Sequence, residues 1–348
     1  MGTQLNPPEL FRRHLCFLDV GHGNCAVLIA GNEDVIVIDV GRQSALSEFL
    51  QQQEITHIQS IYLSHADADH MGALVGIIAT QQVAIGQIFL NSDSSKNSKV
   101  WDDLLYELDA DQTAHPIPLN IRLVAGMKES LRCNVEIEVL GPSNYLAAKG
   151  PGATHRSGGQ ITSNTISAVI AIEVKGERLA LLPGDLDKVG LTDLLRSSQA
   201  LDAPILVYPH HGGLPGRSDP VAFCETLVSK VAPDCVIFSI GRSQYNTPRP
   251  ETMRALRKRL PDARIVCTQL SKHCSETRPS KSPTHLSGTF AAGLARRSCC
   301  GGTIVVPLDD PDRISPAQEQ HAEFIHVHAN TALCMERSLP KEQVALAR

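Results

Sequence analysis

Residues 64–72, Ser-His-Ala-Asp-Ala-Asp-His-Met-Gly, hold His65, Asp67, Asp69 and His70 within six consecutive positions. Imidazole nitrogens and carboxylate oxygens gathered on one loop are the donors a divalent cation takes. The segment lies where an apolar run, His57 to Leu63, gives way to a helix-like run from Met71. Alternate side chains of an extended segment share a face, so the spacing predicts that His65, Asp67 and Asp69 converge. His70 then falls near the first turn of the helix. The plain alternative is a polar loop with capping aspartates, which explains one Asp and neither His.

Two more clusters offer donors of the same kind. Leu181-Leu182-Pro183-Gly184-Asp185 ends an apolar run with a carboxylate, and Tyr208-Pro209-His210-His211-Gly212-Gly213 ends another with paired imidazoles. Either alone is weak: a strand-end Asp is commonly a turn former, and paired histidines are more often solvated than ligating. Both lie downstream of the 64–72 loop at strand ends, and that favours one shared site.

The elements that must position these residues are legible as alternating patterns. Short strands are expected at Leu15 to Val20, Ala26 to Ala30 and Val35 to Val40, with Gly21, Gly23, Gly31 and Gly41 as turns. Helices are expected at Gln43 to Gln53, Met71 to Thr80 and Val100 to Leu108, and strands at Thr165 to Val174 and Arg178 to Pro183. Residues 149–163, rich in Gly, Ser and Thr, read as a mobile loop. From Pro204 to Cys267 strands and helices alternate regularly, and residues 271–298 interrupt them with a Ser/Pro/Arg-rich insert. A β-rich front followed by alternation predicts α/β layers of sheet flanked by helices.

Composition excludes some partners. With a net charge of −5 and a pI near 6.3, the chain has no long-range attraction for nucleic acid or anionic membrane, so such contact would rest on a local basic patch. Aromatics make up 4%, with Trp101 the lone tryptophan, so no stacking platform for single strands is advertised. No run approaches the ~20 apolar residues of a membrane span, and the first residues, MGTQLNPPELFRRHL, have no signal-peptide core. Ten cysteines without an export signal point to reduced thiols and a cytoplasmic location.

In these motifs the chain resembles the metallo-β-lactamase superfamily, specifically the soluble hydrolase domain of ComEC-type competence proteins. The DVGQGD-like opening of that group stands here as Asp19-Val20-Gly21-His22-Gly23-Asn24, and LIDTG as Ile38-Asp39-Val40-Gly41. THxDxDHxGG appears as Ser64 to Ala73, SNNSS as Ser163-Asn164-Thr165-Ile166-Ser167, LLTGD as Leu181 to Asp185, and GHHGS as Pro209 to Gly213. The match runs in order over residues 14–270. It implies an αββα sandwich over residues 1–270, with 271–348 as a cysteine- and histidine-rich insert and extension packed on the same domain.

The resemblance also implies roles. His65 and Asp67 would hold a first metal ion, Asp69 and His70 a second, and Asp185 would bridge them. One of His210 and His211 would complete the second position; His-Gly favours His211. Asp39 would anchor ligands from behind, and Asn164 stands where a further His is more usual. The family's YGHPHPE is here Tyr245 to Glu251, with both histidines replaced, so the first position is short of donors. The cofactors expected are therefore one or two divalent ions, zinc or manganese, the three carboxylates tilting the choice towards manganese or magnesium.

A metal-activated water attacking a phosphodiester is the reaction that best suits this set, with Asp69 and Asp185 holding the reagent in line. Nucleic acid or a nucleotide is the expected substrate, making a nuclease one form of the activity. His22, His155 and the unliganded member of the His210/His211 pair are candidate proton donors, and His22, His155, Arg156, Thr247 and Arg249 candidate substrate contacts. Arg254, Arg257 and Lys258 share a helix face that is either a phosphate edge or simply solvated. An acyl hydrolase acting on a thioester, lactone or β-lactam, and a non-catalytic metal-stabilised module, are the alternatives. At the other end of the chain, Cys267, Cys274, Cys299, Cys300 and Cys334 fit either a separate structural zinc or buried free thiols, although no standard CxxC spacing is present.

Overall fold

Strand segments His14–Phe17, Ala26–Ile29 and Val35–Ile38 are apolar at nearly every position because both of their faces are covered. Leu15, Phe17, Ala26, Leu28, Ile36 and Ile38 turn towards a second sheet, while Cys16, Val27, Ile29, Val35 and Val37 turn towards helices. That two-residue period is what a pleated strand between two apolar layers requires. Each fully buried Leu or Ile contributes about 1.5–3 kcal/mol relative to exposure.

The chain is described by a computed structural model over residues 13–31, 34–110, 116–197, 200–242, 245–286, 290–329 and 331–335. Two seven-stranded sheets face each other. The first runs Ile304–Pro307, His14–Phe17, Ala26–Ile29, Val35–Ile38, Ser60–Tyr62, Ile88–Phe89, Leu119–Asn120. The second runs Arg264–Cys267, Cys235–Phe238, Ile205–Val207, Glu177–Leu182, Val169–Val174, Val135–Gly141, Lys128–Leu131. Each sheet is antiparallel at one side and parallel at the other. Helices Ala45–Gln52, Leu74–Thr80 and Lys99–Ala110 cover the first sheet, while Pro220–Val231 and Pro250–Arg259 cover the second. The arrangement is the expected αββα sandwich.

The expected helix Met71 to Thr80 is two pieces, Ala68–Met71 and Leu74–Thr80. Residues 149–163 form a laced turn in which His155 N donates to Gly159 O at 2.7 Å and Ile161 N to Ala153 O at 2.8 Å. Beyond residue 270 the chain returns to add Ile304–Pro307 to the edge of the first sheet, Phe17 opposite Ile304. Residues 336–348 of the expected extension lie outside the described ones. No helix among the described residues is long and apolar enough to cross a membrane.

Candidate metal centre

The parallel halves of both sheets point their carboxyl ends the same way, and the site lies in the crevice beyond them. Asp39 follows Val35–Ile38, His65 follows Ser60–Tyr62, Asp185 follows Glu177–Leu182, and His210 and His211 follow Ile205–Val207. Two glycines permit the approach. Gly23 (φ +139°) brings the 21–24 loop so close to the short helix Ala68–Met71 that a Cβ would stand 2.3 Å from Asp69 O. At Gly184 (φ +54°) a Cβ would lie 2.4 Å from Ser167 Oγ and 2.8 Å from Ser64 Oγ. His210 and His211 themselves sit at φ +52° and +57°, a left-handed pair that costs about 1–3 kcal/mol each and fixes both rings in the crevice.

Two sets of donor atoms result, each drawn together within 4.8 Å: His65, His70 and Asp185 form one, and His22, Asp69 and His211 the other. Asp185 lies between them, its Oδ1 3.3 Å from His70 Nε2 and 3.8 Å from His211 Nε2. In the second set Asp69 Oδ2 is 3.4 Å from His211 Nε2 and 3.5 Å from His22 Nε2.

Hydrogen bonds behind the rings settle which nitrogen faces inward. His211 Nδ1 donates to Ser239 O at 2.6 Å, and His70 Nδ1 donates to Asp39 Oδ2 at 2.7 Å. The Ser64 hydroxyl donates to Asp39 Oδ2 at 2.9 Å, leaving its oxygen to accept from His65 Nδ1 at 3.0 Å. The Nε2 atoms of His65, His70, His210 and His211 and Oδ1 of Asp185 are buried and make no hydrogen bond. Buried polar atoms are seldom left so, and imidazoles grouped with a carboxylate at each of two adjoining points are fitting donor sets for cations. Asp39 thus does what an anchor should, gripping His70 and the Ser64 backbone N at 2.7 Å.

The charges agree. Burial lowers the basicity of His70, but Asp39 and Asp185 outweigh it and hold the ring well above the ordinary imidazole value. Burial alone would raise the Asp185 carboxyl, yet His70, His211 and His210 keep it well below its usual range. Asp69 is likewise lowered against the effect of burial, by His211 and His70. The pocket demands positive charge. In the protein alone the proton on His70 supplies part of it, and a bound ion would take that proton's place.

Several expectations need correction. Asp67 belongs to neither set: it pairs with Lys96 and stands 3.7 Å from His65 Nε2. Extended backbone ends at Asp67 itself (φ −94°, ψ 143°), and the helical turn from Ala68 breaks the alternation that would have aimed it with His65. His22, expected as a substrate contact, is instead in the second set. Burial and the neighbouring His211 push it down to about 3, so it is a neutral ring. With His22 counted, each set holds two imidazoles and one carboxylate. The only early signal for His22 was its place in the Gly21-His22-Gly23 loop. Of the paired histidines, His211 is the one in a set; His210 lies outside both, its Nδ1 3.5 Å from Asp185 Oδ2.

The outer residues divide in the same way. Arg249 Nε donates to Glu251 at 2.5 Å, so its guanidinium is engaged two residues along its own chain, while its backbone N donates to Gly212 O at 3.0 Å. Thr247 is buried beside that turn, its Cγ2 3.5 Å from where a Gly213 Cβ would sit. His155 pairs with Ser157 and packs on Tyr145, and the backbone N of exposed Arg156 donates to the Tyr145 hydroxyl. The half-buried Asn164 accepts through its carbonyl from Ser167 N at 3.2 Å. Of the basic residues on Pro250–Arg259, Arg257 donates to Ala263 O and Cys334 O, whereas Lys258, 3.9 Å from Glu225, and Arg254 are exposed. Tyr245 was not singled out for a role, yet its ring lies 4.6 Å from that of His22 at the crevice mouth. Among the cysteines, Cys299 stands apart, its thiol donating to Asp19 Oδ2 at 3.3 Å.

Residues 18–119 match the family model described as the metallo-beta-lactamase superfamily. The fold is that of the metallo-β-lactamase superfamily. No curated protein matches. Solved structures of similar shape include the metallo hydrolase Igni18 from Ignicoccus hospitalis, 14% identical with a TM-score of 0.41, covering 73% of this chain and 94% of that one. Tm1679, titled a metal-dependent hydrolase of the β-lactamase superfamily, is 13% identical with a TM-score of 0.45 over 73% of this chain and 95% of its own. The metallo-β-lactamase fold protein YhfI from Bacillus subtilis is 9% identical with a TM-score of 0.43 and coverages of 73% and 95%. Within the metallo-β-lactamase fold, then, this chain carries two adjoining His-His-Asp sets at the strand tips.

Proposed function

We propose that this protein is a metal-dependent hydrolase of phosphodiesters in nucleic acid or nucleotides. The observation that carries the reading is the convergence of bare, buried Nε2 atoms and Asp185 Oδ1 on one crevice. Bound there, a divalent ion would supply a water acidified towards neutrality and a Lewis acid for the bond under attack. Two nitrogens and one oxygen per set suit zinc better than magnesium.

The chain's own groups supply the rest. Asp39 and Ser239 O hold His70 and His211 in the tautomers that leave Nε2 free. Lys96 Nζ, seated on Asp67 at the edge of the first set, is the cation placed to meet non-bridging phosphate oxygens. His210, outside both sets but against Asp185, is kept poorly basic by burial, and it can relay rather than store a proton for the leaving oxygen. The motif resemblance to ComEC-type hydrolases supports the same substrate class. A second reading, acyl hydrolysis, is favoured by one feature alone, the nitrogen-rich donor sets.

The test is purified full-length protein loaded separately with zinc and manganese. It would be assayed on labelled single- and double-stranded DNA, RNA, bis(p-nitrophenyl) phosphate, and thioester, lactone and β-lactam substrates. Phosphodiester cleavage that Asp185→Asn abolishes supports the proposal. Acyl cleavage alone moves the protein to the second reading, and no turnover of any substrate at full metal loading leaves a metal-stabilised binding module.

A further inference from the structure

Behind the second sheet, far along the chain from the motifs above, a small cavity of about 10 Å³ has Cys267, Cys274, Cys300, Cys334 and His321 among its lining residues. They come from separate segments: the end of strand Arg264–Cys267, the turn after it, the residue run before Ile304–Pro307, helix Gln318–His328 and the short helix Leu333–Met335. A space of that size holds one water-sized body. Water would find few partners there, since the remaining walls are largely aliphatic, as at Ile325.

The charges nearby make a second, independent case. Arg242 is buried, and its guanidinium is held by backbone carbonyls between Leu270 and Thr277. Burial lowers its basicity and Arg278 lowers it further, while the group that favours its charge is the Cys274 sulfur. Arg257 in turn donates to the Cys334 carbonyl. Arg242 thus borders Cys274 and the half-buried Arg257 borders Cys334, and an anionic partner there would offset the cost of burying the Arg242 charge.

We propose that Cys267, Cys274, Cys300 and Cys334 bind a structural zinc ion. His321, neutral because burial pushes it down to about 3, orients the Cys300 sulfur through the 3.2 Å contact of Sγ with Nε2. Four thiolates around Zn²⁺ carry a net charge of −2, which Arg242 and Arg257 balance. The thiols release their protons to solvent as the ion enters. Their donor atoms are spread more widely than the 4.8 Å that encloses each strand-tip set, so binding rotates the side chains into the cavity. The ion would fasten the returning C-terminal segment to the sheet that carries His210 and His211.

Cobalt distinguishes this site from the strand-tip donors, because only sulfur ligands give a thiolate-to-cobalt charge-transfer band in the near ultraviolet. Reduced full-length protein titrated with Co²⁺ is expected to develop that band, saturating at one thiolate-bound ion per chain and bleaching when zinc is added. Asp185→Asn and Cys133→Ser should keep the band at full intensity, while Cys300→Ser and Cys334→Ser should each weaken it and loosen cobalt binding. A wild-type protein that shows no band with cobalt in excess overturns the proposal, even if the cysteine variants fail to fold. So does a band whose intensity and cobalt affinity are unchanged in both Cys300→Ser and Cys334→Ser.

Discussion

The strand tips and the thiol cavity both gather potential metal donors, but by different means. At the strand tips the backbone does the work: parallel strands end at one level, left-handed turns at His210 and His211 lock two rings, and Asp39 and Ser239 fix the tautomers. The donor atoms are therefore within 4.8 Å before any ion arrives. Around the cavity the sulfurs hang from a strand end, two loops and a helix, and their donor atoms do not gather within 4.8 Å of one another. Preorganised donors cost little to assemble on binding and suit a site that must keep a fixed geometry. Loosely gathered thiols suit a fastening, where the ion itself completes the structure.

Breaking the first region should have the largest consequence. Asp185→Asn removes the carboxylate that lies against His70, His210 and His211, and turnover at saturating metal should fall by about 10²–10³-fold. Steady-state kinetics with metal content measured on the same sample checks this, since the Cys300→Ser variant should retain most turnover once folded. Next in size is Asp39→Asn. The amide keeps the shape but loses the charged grip on His70 Nδ1, and metal affinity should drop by about 10–100-fold in a chelator competition. An unchanged affinity would show that His70 needs no such anchor.

The order of these motifs along the chain and their place at strand ends are legible in the sequence, because each is a short glycine-bounded segment after an apolar run. What is not legible is local geometry. Asp67 and Asp69 look equivalent until the turn from Ala68 sends one to Lys96 and the other to His22 and His211. Arg249 looks like a free cation because nothing in its neighbours announces that Glu251 folds back on it. On the basic face of Pro250–Arg259, Arg257 is spent on the carbonyls of Ala263 and of the distant Cys334. The edge strand Ile304–Pro307 could be read as a strand, but not as the neighbour of His14–Phe17.

A pH series separates the two regions without mutation. His70 is raised above its unfolded value of about 6.5 by Asp39 and Asp185, against the effect of burial. Its contribution to metal-free stability is fully present below that value and is lost as pH rises through the raised one. Melting temperature of the chelated protein should therefore decline on the alkaline side. Zinc at the strand tips should remove the decline, because the ion then takes the place of the His70 proton. A melting temperature indifferent to alkaline pH in the chelated protein would mean that His70 is neutral there. Zinc at the thiols should instead lose affinity as pH falls, since burial raises all four thiols and protons compete for them.

The smallest effects come from the cations at the rim of the site, and there the contrast is between Lys96 and Arg249. The Arg249–Glu251 pair is exposed, at 40% and 33% of the side chains, and such pairs are worth about 0–1 kcal/mol. Arg249→Ala should leave stability and KM within about twofold of wild type by that measure. Lys96 differs because its partner Asp67 is held down to about 2, burial being outweighed by His65 and Lys96 together, beside the first donor set. Lys96→Met should raise KM for an anionic phosphodiester by about tenfold, the ~1.4 kcal/mol of one charge-assisted contact, with kcat much less changed. If KM for a neutral acyl substrate rose equally, Lys96 would be holding the loop rather than meeting phosphate oxygens.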